Sequence, residues 1–391
     1  MISFAPTDDQ KLMIDASQKL AKTLAARIRD TEKSGLSEEL RSAAQEMGLG
    51  VAHLPESAGG AGLGLVTAVL LEEEIASGDP AAAFALGGTA GFGLALTELG
   101  SAEQSKDAAS TVGAVAFGEA RPHKDRAGLS TLFSNGVVSG EKSYVLGADR
   151  AERFVVFAQV DESKGYDGIG AFLVEKGNGV TVTQRQRTLG LDAASFGGVK
   201  LENAKAIPLA APEFKRATLR FFAKYGLLVA ARCVGLSRAA FDTTRAYVET
   251  RRAFGKPVSH FQAVAFTVAD RAMDVEASRA LVHRAAWLWD SIGGGGDEVP
   301  TENAALLASA RAISYAQQAA MRCGDDGVQL HGGAGFMRDY AVEKYMRDAK
   351  QLALCGLPMS CADQLAAAIE LGRDPDLSLV LPWPDSQSAF I

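Results

Sequence analysis

The spacing of apolar residues divides this sequence into three regions, of which the first is helical. From Thr7 to about Leu99, apolar residues recur every three or four positions, a period typical of amphipathic helices. Thr7 and Gln10 match a capping box, and Ser37 ahead of Glu38 matches an N-cap with an acidic first turn. The pattern therefore predicts an N-terminal helical domain.

In the second region, from about Val112 to Pro212, the pattern changes to short apolar runs separated by Gly, Asp and Asn. The clearest runs lie at 113–117, 154–158 and 169–174, and we interpret them as β-strands. No amphipathic helix comes between them, which favours an antiparallel barrel or sandwich over a parallel sheet. A middle β domain is expected.

Long helical periodicities return in the third region, from about Lys215. They cover 227–252, 261–292, 301–324 and 342–372, with four consecutive glycines at 293–296 as a connection. Four long helices predict a bundle. The predicted fold is α+β, with an N-terminal helical domain at 1–111, a middle antiparallel β domain at 112–214, a C-terminal four-helix bundle at 215–373 and a tail at 374–391.

Charge and composition narrow the class of protein. The 391 residues carry a net charge of −7 with acidic and basic residues interleaved, so we expect no nucleic-acid partner. The start lacks a signal-peptide pattern and no apolar run has the length to span a bilayer, so we expect a cytoplasmic protein without a membrane segment. The four cysteines lack CxxC spacing and the five histidines lack an HExxH arrangement, which predicts reduced, buried thiols and no metal site.

Several short motifs, taken in order, resemble those of the acyl-CoA dehydrogenase family over residues 4–372. The N-terminal region contains PESAGGAGL at 55–63, whose Pro and Gly residues must form a loop, and LGSAEQ at 99–104. The C-terminal region contains RRAFGKPVSHFQ at 251–262, QLHGGAGF at 329–336 and RDAK at 347–350. An ordered set of this kind is specific. The resemblance implies the family's three-domain fold, FAD as cofactor and an acyl-CoA thioester as substrate.

The resemblance also implies a glutamate that removes the α-proton of the acyl group while the β-hydrogen leaves as hydride to the flavin. In the commonest arrangement this glutamate lies six residues after Lys350, where the sequence has Gly356. In other branches of the family it lies near the start of the bundle, where the sequence has Tyr225. Neither position holds a carboxylate, so no catalytic residue is assigned. The nearest fallback carboxylates are Asp363 and Glu119.

The contacts that the resemblance implies for the flavin ring are changed as well. The Gly-Thr pair that usually touches FAD is replaced by a sequence ending in Pro358, which lacks a backbone donor. In the middle domain, Gly118 and Lys124 stand where hydroxyl side chains are usual, and Arg121 adds a further charge. The segment 144–147 keeps an aromatic residue but not the polar ring contact.

By contrast, residues that resemble the family's contacts to a neighbouring subunit's FAD are intact. In this family they typically reach across an interface to the ADP half of the cofactor. An arginine suits pyrophosphate because its planar fork donates two hydrogen bonds, and paired glycines let backbone N–H groups approach closely. The implied cofactor-binding residues are Arg251, Phe254, Gln262, Gln329, Gly332 and Gly333.

The base and the flavin-ring contacts are lost, whereas the contacts to a neighbouring subunit's FAD are kept. The hypothesis that best fits this contrast is that the chain is the non-catalytic subunit of a heterotetramer with two copies of each chain (α2β2). It resembles the base-lacking subunits of actinobacterial enzymes that act on steroid side chains, in which a Glu-bearing paralogous subunit supplies the base. Three alternatives stay open. They are a dehydrogenase acting alone with Asp363 as a displaced base, a flavin monooxygenase or oxidase on the same fold, and an interaction protein without FAD.

Overall fold

Residues 6–120, 127–292 and 299–381 are described by the computed structural model of the chain. The predicted connection at 293–296 and the end of the tail, 382–391, lie outside these ranges. The first range opens with a helical region, as the sequence predicts. Its helices are α1 (Asp8–Ala26), α2 (Ile28–Ser34), α3 (Glu38–Glu46), α4 (Gly64–Ala76), α5 (Pro80–Leu86), α6 (Gly88–Leu99) and α7 (Ala102–Ser105).

The predicted caps of this region are confirmed. The Thr7 hydroxyl accepts a hydrogen bond from the Gln10 backbone N–H, and the Gln10 side chain accepts one from the Thr7 N–H, which completes the capping box of α1. The Ser37 hydroxyl accepts from the Leu40 N–H at the start of α3. These reciprocal bonds satisfy N–H groups that a helix start otherwise leaves unpaired.

The middle region is a closed sheet. Its strands are β1 (Gly113–Ala116), β2 (Leu132–Ser134), β3 (Val137–Leu146), β4 (Arg153–Gln159), β5 (Ile169–Glu175), β6 (Val180–Val182) and β7 (Phe196–Pro208). They run in the order β1-β4-β2-β3-β7-β5, β5 also pairs with β4, and β6 pairs with β7. Most pairings are antiparallel, as predicted, but β4 pairs in parallel with both β1 and β2, which the sequence pattern did not indicate.

Strand β4 is buried on both faces, which explains its continuous apolar run. Phe154 and Val156 belong to the core inside the sheet, whereas Val155 and Phe157 belong to the core shared with the helices. A strand covered on both sides has no solvent face and need not alternate apolar with polar residues. The β domain is therefore packed firmly against the helical regions.

The C-terminal region is the predicted helical bundle, with three differences in its helices. The first helix begins at Phe214, well before the predicted start at 227. The third predicted helix does not end at Gly324 but runs on to His331. Gly324 lies inside this helix and permits close packing of a neighbouring helix, since a Cβ on Gly324 would lie 2.8 Å from the Met346 Cα. The fourth is broken into two. The elements are α8 (Phe214–Thr250), a hairpin of β8 (Arg252–Ala253) and β9 (Lys256–Pro257), α9 (Gln262–Ser291), α10 (Glu302–His331), α11 (Val342–Leu352) and α12 (Met359–Glu370).

A buried cluster of charges joins the three regions. The Lys344 ammonium on α11 donates to Asp79 at 2.8 Å and to Asp348 at 2.6 Å, and Asp348 also accepts from the Leu191 backbone N–H at 2.7 Å. Burial lowers the pKa of Lys344, but the two carboxylates outweigh it and raise that pKa above its ordinary value. Asp348, the acid of the RDAK motif, thus connects the bundle to both other regions.

The cysteines are buried and none forms a disulfide, in agreement with the expectation of reduced thiols. Within the described ranges, no group of three or more His, Cys, Asp or Glu side chains is placed to hold a metal ion. In the same ranges, no single helix is long and apolar enough to cross a membrane. The bent helix pair 80–86 and 90–99 has, taken together, the length and apolar composition of a membrane-spanning segment.

Candidate active site

A cavity of about 440 Å³ lies where the β domain meets the bundle. Its volume is within the range of pockets that bind cofactors and small molecules. It contains both positions at which the sequence analysis sought a catalytic glutamate. Its walls include Phe117, Gly118 and Glu119 after β1, Ser143, Tyr144 and Leu146 of β3, Phe84 and Tyr225 of the N-terminal and bundle helices, Gln351 of α11, and Cys355, Gly356 and Pro358 after α11.

Gly356 lines this cavity in a conformation that suits only glycine. Its φ is +65°, and a Cβ added to it would lie 3.0 Å from the Val229 Cγ2 and 3.4 Å from the Gly226 Cα. The left-handed backbone strains L side chains, and the contact with α8 leaves little room for one. The backbone between α11 and α12 is therefore not shaped to present a glutamate here.

Tyr225 occupies the alternative base position as a packed aromatic residue. It is buried, and its ring stacks on Phe221 with centroids 5.8 Å apart. Space for the ring comes from Gly91 of α6, where an added Cβ would lie 3.0 Å from the Tyr225 Cε2. Burial raises the pKa of the Tyr225 phenol, so it stays neutral and does not act as a base at neutral pH.

Neither fallback carboxylate is placed to act as a base. Glu119 lines the cavity, but it accepts hydrogen bonds from Lys142 at 2.8 Å and from the backbone N–H groups of Ser130 and Thr131 at 2.7 and 3.0 Å. Burial raises the pKa of Glu119, but these donors outweigh burial and hold the pKa of the carboxyl below its ordinary value. Asp363 is exposed on α12 and does not line the cavity, which argues against the displaced-base alternative.

Ser143 is a site residue that the sequence analysis missed. Its side chain is buried, lines the cavity and forms no hydrogen bond within the described ranges. The pairing of β3 with β7 shifts register between Lys142 and Val145, and Tyr144 within this bulge has a φ of +55°. Because a bulge disturbs the alternation of faces, periodicity could not indicate where Ser143 points.

These residues fit part of a flavin ring system. The cavity offers aromatic walls at Phe117 and Tyr144 for a planar ring, and the unpartnered Ser143 hydroxyl for a polar edge. Ser143 thus offers a hydroxyl that the sequence comparison at Gly118 did not find. Arg121 and Lys124, which the sequence analysis placed near this loop, lie outside the described residues.

An open groove of about 1110 Å³ lies at the far end of α8 and α10. It shares no lining residue with the cavity, so the described chain contains two separate sites. The groove brings together all but one of the predicted cofactor-binding residues. The exception is Gln262, which begins α9 on an exposed surface and does not line the groove. The predicted residues that line it are Arg251, Phe254, Gln329, Gly332 and Gly333.

The hairpin after α8 presents Phe254 to solvent. Phe254 and Gly255 form its two-residue loop with φ values of +51° and +82°, a combination typical of a type I′ turn. Phe254 is 95% exposed, although a left-handed φ is unfavourable for a bulky residue. Its ring touches that of Phe261 edge to face, with centroids 6.2 Å apart. Strain of this kind is typical of residues retained for binding.

Arg251 and the glycine turn are free to bind an anion. The Arg251 side chain is exposed and forms no ion pair or hydrogen bond with any described residue. Gly332 has a φ of +57°, and a Cβ added at Gly332 or Gly333 would meet nothing within 4 Å. An unpaired guanidinium beside a turn with open space at both glycines suits a phosphate or pyrophosphate. The groove therefore fits the ADP half of FAD.

Comparison with known proteins assigns the family. Three models match consecutive segments: acyl-CoA dehydrogenase N-terminal domain at 7–112, middle domain at 114–204 and C-terminal domain at 216–356. A probable short/branched chain specific acyl-CoA dehydrogenase from Dictyostelium discoideum is 31% identical over 335 residues, covering 82% of this chain and 79% of the relative. Cyclohex-1-ene-1-carbonyl-CoA dehydrogenase from Geobacter metallireducens is 31% identical over 362 residues, covering 88% and 93%.

Solved structures agree with this assignment. Butyryl-CoA dehydrogenase from Megasphaera elsdenii superimposes with a TM-score of 0.83 at 25% identity, covering 95% of this chain and all of that structure. The match extends through the helical, β and bundle regions that hold the cavity and the groove. The chain therefore belongs to the acyl-CoA dehydrogenase family, whose members are FAD-dependent oxidoreductases acting on acyl-CoA thioesters.

Proposed function

We propose that this chain is the non-catalytic subunit of a heteromeric acyl-CoA dehydrogenase, and that a Glu-bearing paralogous chain supplies the base. The observation that carries the proposal is the contrast between the two sites. At the cavity, Gly356 is packed against α8, and the described residues that line it offer no free carboxylate. At the groove, the Arg251 side chain is accessible and unpaired within the described chain, and open space adjoins both glycines of the turn.

Loss of the base is decisive because the reaction needs one acceptor for a hydride and a separate acceptor for a proton. FAD, when bound, accepts the hydride from the β-carbon of the acyl group. The α-proton needs a protein base with a suitably raised pKa. Tyr225 is kept neutral by burial, and Glu119 is held ionised by Lys142 and backbone donors. Neither group is therefore available to take the proton.

The groove would serve a neighbouring subunit. The groove shares no lining residue with this chain's own cavity, and in the acyl-CoA dehydrogenase family residues of this kind typically reach the ADP half of a neighbouring subunit's FAD. In that arrangement Arg251 donates to the pyrophosphate, while the open space at Gly332 and Gly333 lets the cofactor approach the backbone closely. We infer an assembly with two copies of each subunit (α2β2), in which FAD is shared across the interface.

For the substrate we propose a CoA thioester from lipid or steroid side-chain degradation. Support comes from the missing base, which is the feature that the chain shares with subunits of heteromeric enzymes acting on steroid side chains. A relative at 31% identity is named for a cyclic acyl-CoA substrate. That similarity supports a bulky acyl group but does not select one.

The proposal is tested by purifying the chain alone and together with a co-expressed Glu-bearing paralogue. We expect the mixed complex to contain equal numbers of the two subunits, to bind FAD and to bleach when an acyl-CoA substrate is added. The chain alone should show neither activity nor stoichiometric flavin in its visible spectrum. An active, flavin-loaded oligomer of this chain by itself would contradict the proposal.

A further inference from the structure

Arg232 of α8 is fully buried and has one unused pair of N–H donors. Its Nε and Nη2 donate to the two carboxylate oxygens of Glu72 on α4, each at 2.7 Å, and both side chains are almost inaccessible to solvent. Its remaining nitrogen, Nη1, has no hydrogen-bond partner among the described residues. A buried N–H group without a partner is costly and requires an explanation.

The Arg232 side chain packs against a residue that lines the cavity. The Arg232 guanidinium is 4.8 Å from the centre of the Phe84 ring, and Phe84 lines the cavity. Tyr225 and Cys355 also line it. Burial raises the pKa of both groups, while the positive charge of Arg232 acts in the opposite direction on each, as expected for near neighbours. Arg232 is thus separated from the cavity by a thin layer of side chains.

Helix α6 leaves space for this arrangement. At Gly87, an added Cβ would lie 2.4 Å from the Arg232 Nη2 and 2.5 Å from the Glu72 Oε1. Glycine is therefore required for the ion pair to reach its position. Together with Gly91, which accommodates Tyr225, it lets the buried ion pair pack close to a cavity that is lined mainly by apolar and aromatic side chains.

We propose that Arg232 Nη1 recognises a neutral oxygen acceptor, a ketone or hydroxyl, on the distal part of an acyl group bound in the cavity. Glu72 already neutralises the guanidinium, so a second carboxylate would leave an uncompensated buried negative charge. A neutral acceptor satisfies the donor without that cost. Because Phe84 lines the cavity and Arg232 does not, this recognition requires the Phe84 ring to turn aside when the ligand binds. Recognition by this chain does not depend on the heteromeric assembly.

The test measures equilibrium binding of three thioesters of equal chain length to the full chain as it purifies. The ligands are octanoyl-CoA, 7-oxooctanoyl-CoA and the ω-carboxylated octanedioyl-CoA. We expect the oxo compound to bind about tenfold more tightly than octanoyl-CoA, since it satisfies a buried donor, and the ω-carboxylate to gain no such advantage. Equal binding of the oxo and plain compounds, or absence of binding by all three, overturns the proposal, and a preference for the carboxylate overturns the choice of a neutral acceptor.

A double variant separates recognition from stability. Replacing only Arg232 leaves Glu72 as an unpaired buried charge, whereas Glu72→Leu with Arg232→Met replaces the whole pair by apolar groups, a change that folded proteins often tolerate. We expect this variant to bind octanoyl-CoA as the parent does and to lose the tenfold preference for the oxo compound. Retention of the preference would place the acceptor's partner elsewhere in the cavity. Thermal melting of parent and variant confirms that both are folded.

Discussion

Gly356 lies against Gly226 of α8, so closely that a Cβ on Gly356 would be 3.4 Å from the Gly226 Cα. Gly226 is itself tightly packed, because a Cβ there would lie 2.6 Å from the Ile313 Cδ1. The two glycines bring the backbone between α11 and α12 against the helix. This contact occupies the place where a side chain at position 356 would begin.

Restoring a glutamate at this position should therefore fail. We expect Gly356→Glu to lower the free energy of unfolding by about 1–3 kcal/mol, from the left-handed backbone and the contact with Val229, and to give the isolated chain no dehydrogenase activity. Denaturant unfolding and a substrate-bleaching assay measure the two effects. A stable variant that bleaches with acyl-CoA would show that position 356 can still carry the base.

The contribution of packing can be separated from that of backbone strain. Gly372 has a φ of +67°, almost the same as Gly356, but a Cβ there would meet nothing within 4 Å. Gly372→Ala should lower the free energy of unfolding through backbone strain alone. Gly356→Ala should lower it further, because its Cβ also meets α8. If the two variants unfold at the same denaturant concentration, the contact with α8 contributes nothing.

The charge cluster of Lys344 gives a prediction about stability. Asp348→Ala removes a buried partner of Lys344 and the acceptor of the Leu191 N–H, so we expect a loss of about 3–5 kcal/mol in the free energy of unfolding. Lys350 is the matched control, because its pair with Asp325 lies at the surface. Lys350→Met should change stability by less than about 1 kcal/mol. Similar losses in the two variants would contradict a connecting role for Asp348.

Much of the fold could be predicted because its signals are local. The capping box at Thr7, the turn residues between strands and the order of the motifs each depend on residues close together in sequence. The motif at 99–104 illustrates the physical basis, since Ser101 and Gln104 form a capping box and the Gln104 side chain also donates to the Pro208 carbonyl. Such local features remain readable without a structure.

The errors arose where distant elements decide the outcome. Gly324 and Gly356 are both glycines in helical surroundings. Gly324 lies inside α10, where α11 packs against it, whereas Gly356 lies at the break between α11 and α12, where α8 packs against its side-chain position. Ser143 was missed because a bulge in the pairing with β7 changes its direction. These outcomes depend on contacts between residues far apart in sequence, which periodicity does not contain.

Arg251 should act on cofactor binding and not on folding. Its side chain forms no hydrogen bond or ion pair with the described chain, so Arg251→Ala should leave stability unchanged, while the mixed complex should bind FAD about tenfold more weakly through loss of a charge-assisted hydrogen bond. FAD fluorescence on dilution measures the affinity. The adjacent Arg252 is exposed and does not line the groove, so Arg252→Ala serves as control. An equal effect of the two substitutions would indicate a general charge effect.

His53 should make stability depend on pH. Its Nε2 is inaccessible and without a partner within the described ranges, and burial, with the charges of Lys224 and Arg232, lowers its pKa from 6.5 to about 4. The unfolded chain therefore binds a proton more readily than the folded chain between these values. The resulting stability is fully present above pH 6.5 and is lost as the pH falls towards 4.

The expected loss from this histidine between pH 7 and pH 5 is about 2 kcal/mol in the free energy of unfolding. His53→Asn removes the titrating group, so its stability should fall less over the same interval, whatever the substitution itself costs at pH 7. Urea unfolding of both proteins at the two pH values provides the four free energies that are needed. A parallel decline in parent and variant would show that protonation of His53 is not coupled to unfolding.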